Sequence, residues 1–113
     1  MSVLPRGLVL AHIDTLADPC AIVVDIADNG QHHSLILTRN GDRIAAFRNT
    51  CPHAGYPLQR ADGSILIQEN RYLVCAAHGA SFTLDGACAG GPCNGEGLDR
   101  VPVDVNGGAV IVA

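Results

Sequence analysis

Short apolar stretches separated by polar turns make up most of this chain. Val, Ile and Leu recur in alternating or continuous runs of a few residues, a pattern typical of β-strands. The strands predicted in this way cover residues 21–26, 33–39, 43–48, 64–68, 71–74, 81–84 and 109–112. No long segment has helical periodicity, and only residues 14–17 suggest a single turn. The pattern therefore predicts an all-β protein.

Turn residues mark the boundaries between these strands. Asn-Gly, Asp-Gly and similar pairs occur at residues 28–30, 40–41, 62–63, 69–70, 85–86 and 106–108. Asn, Asp and Gly tolerate the positive φ that tight hairpin turns need. Short strands separated by such turns at regular spacing predict an antiparallel sandwich or a small barrel.

Length and composition narrow the class of protein. The chain has 113 residues, enough for one modest core, so a single domain over residues 1–113 is predicted. The net charge is -4 and none of the basic residues is Lys, so a basic face for nucleic acid is not expected. The apolar runs are too short to span a bilayer, and the N-terminus lacks the pattern of a secretory signal. We therefore expect a cytoplasmic protein.

Two Cys/His pairs are the main candidates for chemistry. The chain has five cysteines, and an odd number argues against a closed disulfide framework. Cys51-x-His53 follows the predicted strand 43–48, and Cys75-x-x-His78 follows the predicted strand 71–74. A hairpin separates the two pairs, so both loops can lie at the same end of the sheet. The four side chains can then form one metal site.

A ligand set of two Cys and two His suits two kinds of centre. One is zinc, and the other is a [2Fe–2S] cluster in which two His replace two Cys on one iron. A zinc finger usually takes its cysteines from one turn and its histidines from another. Here each loop supplies one of each, which favours the iron–sulfur cluster. A zinc-stabilised β interaction module is the alternative.

The two loops resemble the paired signatures of Rieske-type ferredoxins, the ferredoxin components of aromatic-ring-hydroxylating dioxygenase systems. The matching segments are Cys51-Pro-His53-Ala-Gly55 and Cys75-Ala-Ala-His78-Gly79, with Asn49, Pro57-Leu58, Phe82, Asp85-Gly86 and Gly90-Gly-Pro92 around them. The resemblance implies an antiparallel β-sandwich with a small inserted cluster-binding subdomain. Its two ligand loops would lie at about residues 51–58 and 75–82, and a proline loop over the cluster at about 86–93.

The same resemblance implies the function. Cys51 and Cys75 would bind an iron that stays ferric, and His53 and His78 the outer iron that takes up the electron. The chain would be a single-electron carrier between a flavin-dependent reductase and a terminal oxygenase, not an enzyme by itself. We expect a monomer with transient partners. The small Rieske-like subunit of a nitrite reductase is an alternative within the class.

The sequence departs from respiratory and photosynthetic Rieske proteins at four positions. Those proteins have a disulfide between the ligand loops, where this chain has Tyr56 and Ala77. They also have Ser and Tyr hydroxyls that donate to sulfur, where this chain has Ala80 and Phe82. Because such donors stabilise the reduced cluster, their loss predicts a low reduction potential.

The remaining Cys and His residues are expected to be structural. Cys20 precedes an apolar strand and is expected in the core, and Cys88 and Cys93 are interpreted as small buried residues, with pairing or a second metal as alternatives. His32 and His33 are neighbours on a strand, so their side chains point to opposite faces and cannot easily bind one ion. Both are expected at the surface of the hairpin. His12 has no partner in the sequence pattern.

Overall fold

The computed structural model describes residues 4–28, 30–51, 57–69, 71–76, 79–91 and 95–113. Within these ranges the chain forms three antiparallel sheets and one 3₁₀ turn, at Ile13–Thr15. The strands are β1 (Val9–His12), β2 (Cys20–Asp28), β3 (Gln31–Asn40), β4 (Arg43–Arg48), β5 (Leu66–Gln68), β6 (Tyr72–Val74), β7 (Ser81–Thr83), β8 (Cys88–Gly90), β9 (Arg100–Val101), β10 (Val103–Asn106) and β11 (Ala109–Val112). In the described ranges we find no helix with the length and apolar character needed to cross a bilayer.

The central sheet has the strand order β2-β3-β4-β9. Strands β2 and β3 form a long hairpin that pairs from Cys20 with Arg39 to Asp28 with Gln31. The middle of β3 is buried at four successive positions, from Leu35 to Thr38. Because successive side chains on a strand point to opposite faces, the central sheet must be covered on both sides.

Two separate cores cover the two faces of the central sheet. The terminal-sheet core lies against β1-β11-β10 and consists of Leu4, Leu10, Leu16, Cys20, Leu35, Leu37, Ala46, Val101, Val110 and Val112. The inserted-sheet core lies against β5-β6-β7-β8 and consists of Ile36, Ala45, Phe47, Cys51, Leu58, Ile65, Leu73, Cys75, Ala80, Phe82, Leu84 and Leu98. Alternate residues of β3 therefore belong to different cores, as Leu35 and Ile36 do.

The third sheet is an insertion between two neighbouring strands of the central sheet. Strands β4 and β9 pair through Ala46 with Val101 and Phe47 with Arg100. Between them in sequence, β5 to β8 form a sheet of their own in simple hairpin order. This sheet is the predicted inserted subdomain, and the predicted all-β antiparallel fold class is confirmed.

A close contact joins the inserted sheet to the central sheet at Gly86. This residue has a φ of +88°, and a Cβ atom built on it would lie only 2.3 Å from Phe47 Cε1. The Leu98 N–H donates to the Gly86 carbonyl over 2.8 Å. The Arg100 guanidinium also lies over the Phe47 ring, 5.5 Å from its centroid. The absence of a side chain at residue 86 thus lets the two regions pack closely.

The predicted strands agree with the structure, with differences at their ends. Residues 43–48 and 109–112 match β4 and β11, whereas β2 and β3 are longer than predicted. Strands β1, β8, β9 and β10 were not predicted, and the predicted turn at 14–17 is the 3₁₀ turn at Ile13–Thr15. The turns at 28–30 and 69–70 include Asn29 and Asn70, which lie outside the described residues.

Candidate metal centre

The structure places the two predicted cysteine ligands in the same core. Cys51 lies shortly after the end of β4, and Cys75 directly follows β6. Each residue is only 1% exposed, and both belong to the inserted-sheet core. Both have thiol side chains that are not in disulfides. The predicted loops from β4 and β6 therefore deliver their cysteines to one buried region.

The two predicted histidine ligands, His53 and His78, lie outside the described residues. Among the residues that are described, no group of three or more His, Cys, Asp or Glu side chains could hold a metal ion. The complete set of four ligands therefore stays a prediction, of which the structure shows the position of the two cysteines.

Backbone hydrogen bonds close the second ligand loop. The Cys75 N–H donates to the Ala80 carbonyl over 2.8 Å, and the Gly79 N–H donates to the Cys75 carbonyl over 3.0 Å. Gly79 has a φ of +75°, a left-handed conformation that glycine adopts at little cost. These bonds join the two described ends of the loop, Cys75 on one side and Gly79 and Ala80 on the other.

A further hydrogen bond joins the second ligand loop to the first. The Ala76 N–H, next to Cys75, donates to the Leu58 carbonyl over 3.2 Å. Leu58 is fully buried, and its own N–H donates to Asn49 Oδ1 over 2.8 Å. Asn49 entered the sequence analysis only as part of the family resemblance. Its contacts could not be foreseen, because they join segments that the sequence separates.

A third segment, the predicted proline loop at about residues 86–93, lies against the second ligand loop at Gly91. A Cβ atom built on Gly91 would lie 2.9 Å from the Gly79 carbonyl oxygen and 3.0 Å from Ala80 Cα. Pro92, the proline of the predicted proline loop at about 86–93, lies outside the described residues. The described part of this segment therefore packs backbone to backbone on the loop that begins at Cys75.

Cys88 differs from its interpretation as a small buried residue. It is half-buried and disulfide-bonded. Cys20, Cys51 and Cys75 carry thiols instead, and Cys93 lies outside the described residues. The interpretation as a small buried residue was therefore wrong for Cys88, and the alternative that it pairs in a disulfide is confirmed.

The two residues that replace the hydroxyl donors of respiratory and photosynthetic Rieske proteins lie in the same core as the cysteines. Ala80 and Phe82 are fully buried members of the inserted-sheet core that contains Cys51 and Cys75. Ser81 lies between them on β7, and its hydroxyl donates to the Gly90 carbonyl over 3.5 Å. Tyr56 and Ala77, which replace the loop-to-loop disulfide, lie outside the described residues.

Cys20 is a core residue, as predicted, and it belongs to the core that does not contain Cys51 and Cys75. It is buried in the terminal-sheet core and pairs with Arg39 at the start of β2. Burial raises the pKa of the Cys20 thiol, because the apolar surroundings disfavour a thiolate; a backbone hydrogen bond and the charge of Arg39 oppose this effect. The thiol is therefore a core residue with low reactivity.

The neighbouring histidines of β3 point in opposite directions, as predicted, but the surface position expected for both is wrong for His33. His33 is buried opposite Ile26, whereas His32 is exposed opposite Ala27. His32 Nε2 lies 3.5 Å from Asp25 Oδ1 at the surface. His12 is exposed at the end of β1. None of these arrangements resembles a shared metal site.

The described residues fit an iron–sulfur cluster. Thiolate is the ligand that such clusters take from proteins, and two buried cysteines approach from loops that a hydrogen bond joins. Apolar side chains surround them on the inner side, which suits a centre shielded from water. Buried side-chain nitrogen and oxygen atoms in the described ranges all have hydrogen-bond partners, so no orphaned polar group competes for the site.

Comparison with known proteins identifies the family. A family model described as a Rieske [2Fe–2S] domain matches residues 9–106. The ferredoxin component of the alkene monooxygenase system of Xanthobacter autotrophicus is 30% identical over 101 residues, which cover 84% of this chain and 78% of that protein. The match to the family model extends from β1 to β10 and includes both Cys/His loops.

Solved structures share the fold. The ferredoxin of carbazole 1,9a-dioxygenase from Nocardioides aromaticivorans IC177 is similar with a TM-score of 0.73 and 22% identity, covering 96% of this chain and 98% of that one. A complex of reduced oxygenase and oxidised ferredoxin in carbazole 1,9a-dioxygenase contains a chain with a TM-score of 0.71 and 24% identity, covering 96% of this chain and 93% of that one.

These comparisons confirm the predicted Rieske-type ferredoxin, and with it the predicted cofactor, one Rieske-type [2Fe–2S] cluster. The zinc-stabilised module is not supported, because the matched family is defined by an iron–sulfur domain. The position of Cys51 and Cys75 in one buried core agrees with that family's chemistry. This chain belongs to the Rieske [2Fe–2S] domain family.

Proposed function

We propose that this protein passes single electrons from a flavin-dependent reductase to a terminal oxygenase. Its role as the ferredoxin component of an oxygenase system has the support of the Xanthobacter relative, which is such a component. The observation that carries the proposal is the burial of Cys51 and Cys75 in one core, on loops joined by the Ala76–Leu58 hydrogen bond. The reductase is inferred from the family resemblance alone.

We assign the four ligands as the sequence suggests. Cys51 and Cys75 would bind the inner iron, and His53 and His78 the outer one. When bound, the cluster supplies a one-electron couple. The protein supplies two thiols shielded from water in the core between the central and inserted sheets. Because neither cysteine is accessible to solvent, exchange of electrons with partners would take place through the histidine side.

We further propose that the chain is a carrier rather than an enzyme in its own right. The sequence offers no nucleophile with an adjacent base and no nucleotide-binding loop. One domain, with ligand loops at about 51–58 and 75–82 and a proline loop at about 86–93, would work as a cytoplasmic monomer. In the carbazole system, a ferredoxin of this fold is found in complex with its oxygenase. Contacts of that kind are brief, and their interfaces are accordingly small.

Electron transfer with purified components tests this function. The protein, purified without air, should contain equal amounts of iron and sulfide and be red-brown. It should take electrons from NADH through a flavoprotein reductase and give them to an oxygenase, both encoded near its own gene. A colourless zinc protein would refute the proposal. Stable assembly with a nitrite reductase, without transfer to any oxygenase, would favour the alternative subunit role.

A further inference from the structure

A buried asparagine connects the long strands of the central sheet to both ligand loops. Asn49 follows β4, lies just before Cys51 and is only 6% exposed. Its backbone N–H donates to the Ser34 carbonyl on β3 over 3.0 Å. The side chain continues the connection, because Nδ2 donates to Ser34 Oγ over 3.0 Å. The residue is thus held at two points by a strand that forms the middle of the molecule.

The other contacts of the Asn49 side chain close the first ligand loop. Oδ1 accepts the Leu58 N–H over 2.8 Å, and Nδ2 also donates to Gln59 Oε1. The Asn49 side chain, two residues before Cys51, therefore joins the start of this loop to its far end at Leu58 and Gln59. These contacts use both donors and the acceptor of the amide group. Neither a carboxylate nor an apolar side chain of similar size could make all of them.

The connection continues from the first loop to the second. Leu58 accepts the Ala76 N–H at its carbonyl over 3.2 Å, and Ala76 is the neighbour of Cys75. We call the set Ser34, Asn49, Leu58, Gln59 and Ala76 the Asn49 network. It runs from β3, around the loop that contains Cys51, to the residue beside Cys75. Both cysteine ligands lie within two residues of a member of this network.

We propose that Asn49 is a positioning residue for the cluster. Its side chain keeps the first ligand loop closed and, through Leu58, keeps that loop in register with the second. Groups that orient metal ligands from behind influence how tightly the metal is held. Because metal binding and the folding of its loops are coupled, loosening the loops should speed the loss of iron. The proposal rests on the assignment of Cys51 and Cys75 as ligands given above.

The test compares Asn49 variants with a control that loses a different buried hydrogen bond, on the face of the central sheet that packs against the inserted sheet. Thr38, on β3, is 2% exposed, and its hydroxyl donates to the Leu84 carbonyl over 3.0 Å. Thr38→Val therefore removes a buried side-chain-to-backbone bond between the central sheet and the inserted region, without touching either ligand loop. Asn49→Ala removes every side-chain bond of the network. Asn49→Asp keeps an acceptor for the Leu58 N–H but loses both donors.

Iron release from the purified holoprotein to bathophenanthroline disulfonate, after reduction with dithionite, is the main measurement. We expect Asn49→Ala to release iron about tenfold faster than Thr38→Val, because several buried hydrogen bonds are lost at the ligand loops. Asn49→Asp should fall between them. The electron paramagnetic resonance spectrum of the reduced cluster should change in both Asn49 variants and remain native in Thr38→Val.

The outcomes separate this proposal from the proposed function. Release rates and spectra for both Asn49 variants that match those of Thr38→Val would overturn the positioning role. If Asn49→Ala does not fold, the comparison of Asn49→Asp with Thr38→Val decides the question alone. A wild-type protein without iron and sulfide would instead refute the ligand assignment, whatever the variants do.

Discussion

The inserted sheet and the central sheet are built in different ways. Strands β2 and β3 have nine and ten residues and pair along their whole length. Strands β5, β6, β7 and β8 have three residues each. Such short strands form few ladder hydrogen bonds, so a sheet of this kind depends on what it packs against. The inserted sheet packs around Cys51 and Cys75, and we infer that its stability depends on the cluster.

The buried cysteines of the two regions show the same difference. Cys20 lies at the start of β2, where the ladder holds its backbone and burial raises the pKa of its thiol. Cys51 and Cys75 are at least as buried, but each lies just beyond the end of a strand. Burial alone therefore does not distinguish a core thiol from a proposed ligand. What distinguishes Cys51 and Cys75 is that each lies in a loop with a nearby His, and that the two loops are joined by a hydrogen bond.

The largest effect is expected from removing a ligand. Cys51→Ser or Cys75→Ser should abolish the cluster, and His53→Ala or His78→Ala should lose it or leave it unstable. Because metal binding contributes to folding, loss should also weaken protection from amide hydrogen exchange between about residues 51 and 93. Iron and sulfide analysis, followed by hydrogen exchange, measures both consequences. Protection of β2 and β3 should remain.

Cys20→Ser is the matched control, since it makes the same chemical change at a buried cysteine of the other core. A buried hydroxyl without a good partner lowers the free energy of unfolding by about 1–3 kcal/mol. The thermal stability of the Cys20→Ser variant should therefore fall, while its iron content stays native. Native iron and sulfide in the Cys51 or Cys75 variants would contradict the ligand assignment.

The next effect concerns the contact between the two regions at Gly86. Gly86→Ala places a Cβ against the Phe47 ring, at a φ that L-residues rarely adopt. Left-handed backbone costs about 1–2 kcal/mol and overpacking about 1–3 kcal/mol, so we expect a loss of about 2–5 kcal/mol. Chemical denaturation gives this value. Gly63→Ala is the control, because Gly63 has a φ of +86° and nothing within 4 Å of an added Cβ. Equal losses in the two variants would show that the contact with Phe47 has no energetic importance.

A smaller effect is expected at Gly91, where the described part of the third segment packs on the second ligand loop. Gly91→Ala would bring a Cβ within 2.9 Å of the Gly79 carbonyl and so displace that loop. We expect faster loss of the visible absorbance of the cluster on warming. Gly30→Ala has almost the same backbone strain, with a φ of +75° and open space around the added Cβ. If the two variants bleach at the same temperature, the segment does not support the second loop.

The sequence predicted the long strands better than the short ones, for a physical reason. β2, β3, β4 and β11 are rich in Val, Ile, Leu and Ala, and each has a turn that contains Gly at one of its ends, so local preference and tertiary structure agree. β8 consists of Cys-Ala-Gly, and β9 has only two residues. Such segments become strands because a neighbour pairs with them. The sequence pattern likewise could not predict that both faces of the central sheet are covered, because it shows only which positions are apolar.

Cys51 and Cys75 could be singled out as candidate ligands because each belongs to a local Cys/His motif, and their assignment as ligands stays a prediction. The role of Asn49 could not be foreseen, because Leu58, Gln59 and Ser34 meet it only in the folded chain. The disulfide at Cys88 was foreseen only as an alternative, because the sequence does not show which thiols meet in the folded chain. Local residue types thus predict which chemistry is present, whereas the support of that chemistry depends on contacts between distant segments.

The smallest effect, and the finest test of the difference between the two cores, concerns the reduction potential. Ala80 and Phe82 are fully buried in the core that contains the cysteines, at positions where hydroxyl donors would stabilise the reduced cluster. Rieske centres span about -150 to +300 mV, and we expect a midpoint near the lower end. Ala80→Ser and Phe82→Tyr should each raise it. A hydrogen bond worth about 0.5–1.5 kcal/mol corresponds to about 20–65 mV for a one-electron couple.

Potentiometry on the purified protein and its variants measures this shift. Ala46→Ser is the control, because Ala46 is fully buried in the terminal-sheet core, on the opposite face of the central sheet. Its hydroxyl should leave the potential unchanged, since it cannot reach the cluster region. A wild-type midpoint above about +100 mV would contradict a carrier fed by a nicotinamide-linked flavoprotein. A low midpoint that neither Ala80→Ser nor Phe82→Tyr raises would show that another feature of the inserted-sheet core lowers the potential.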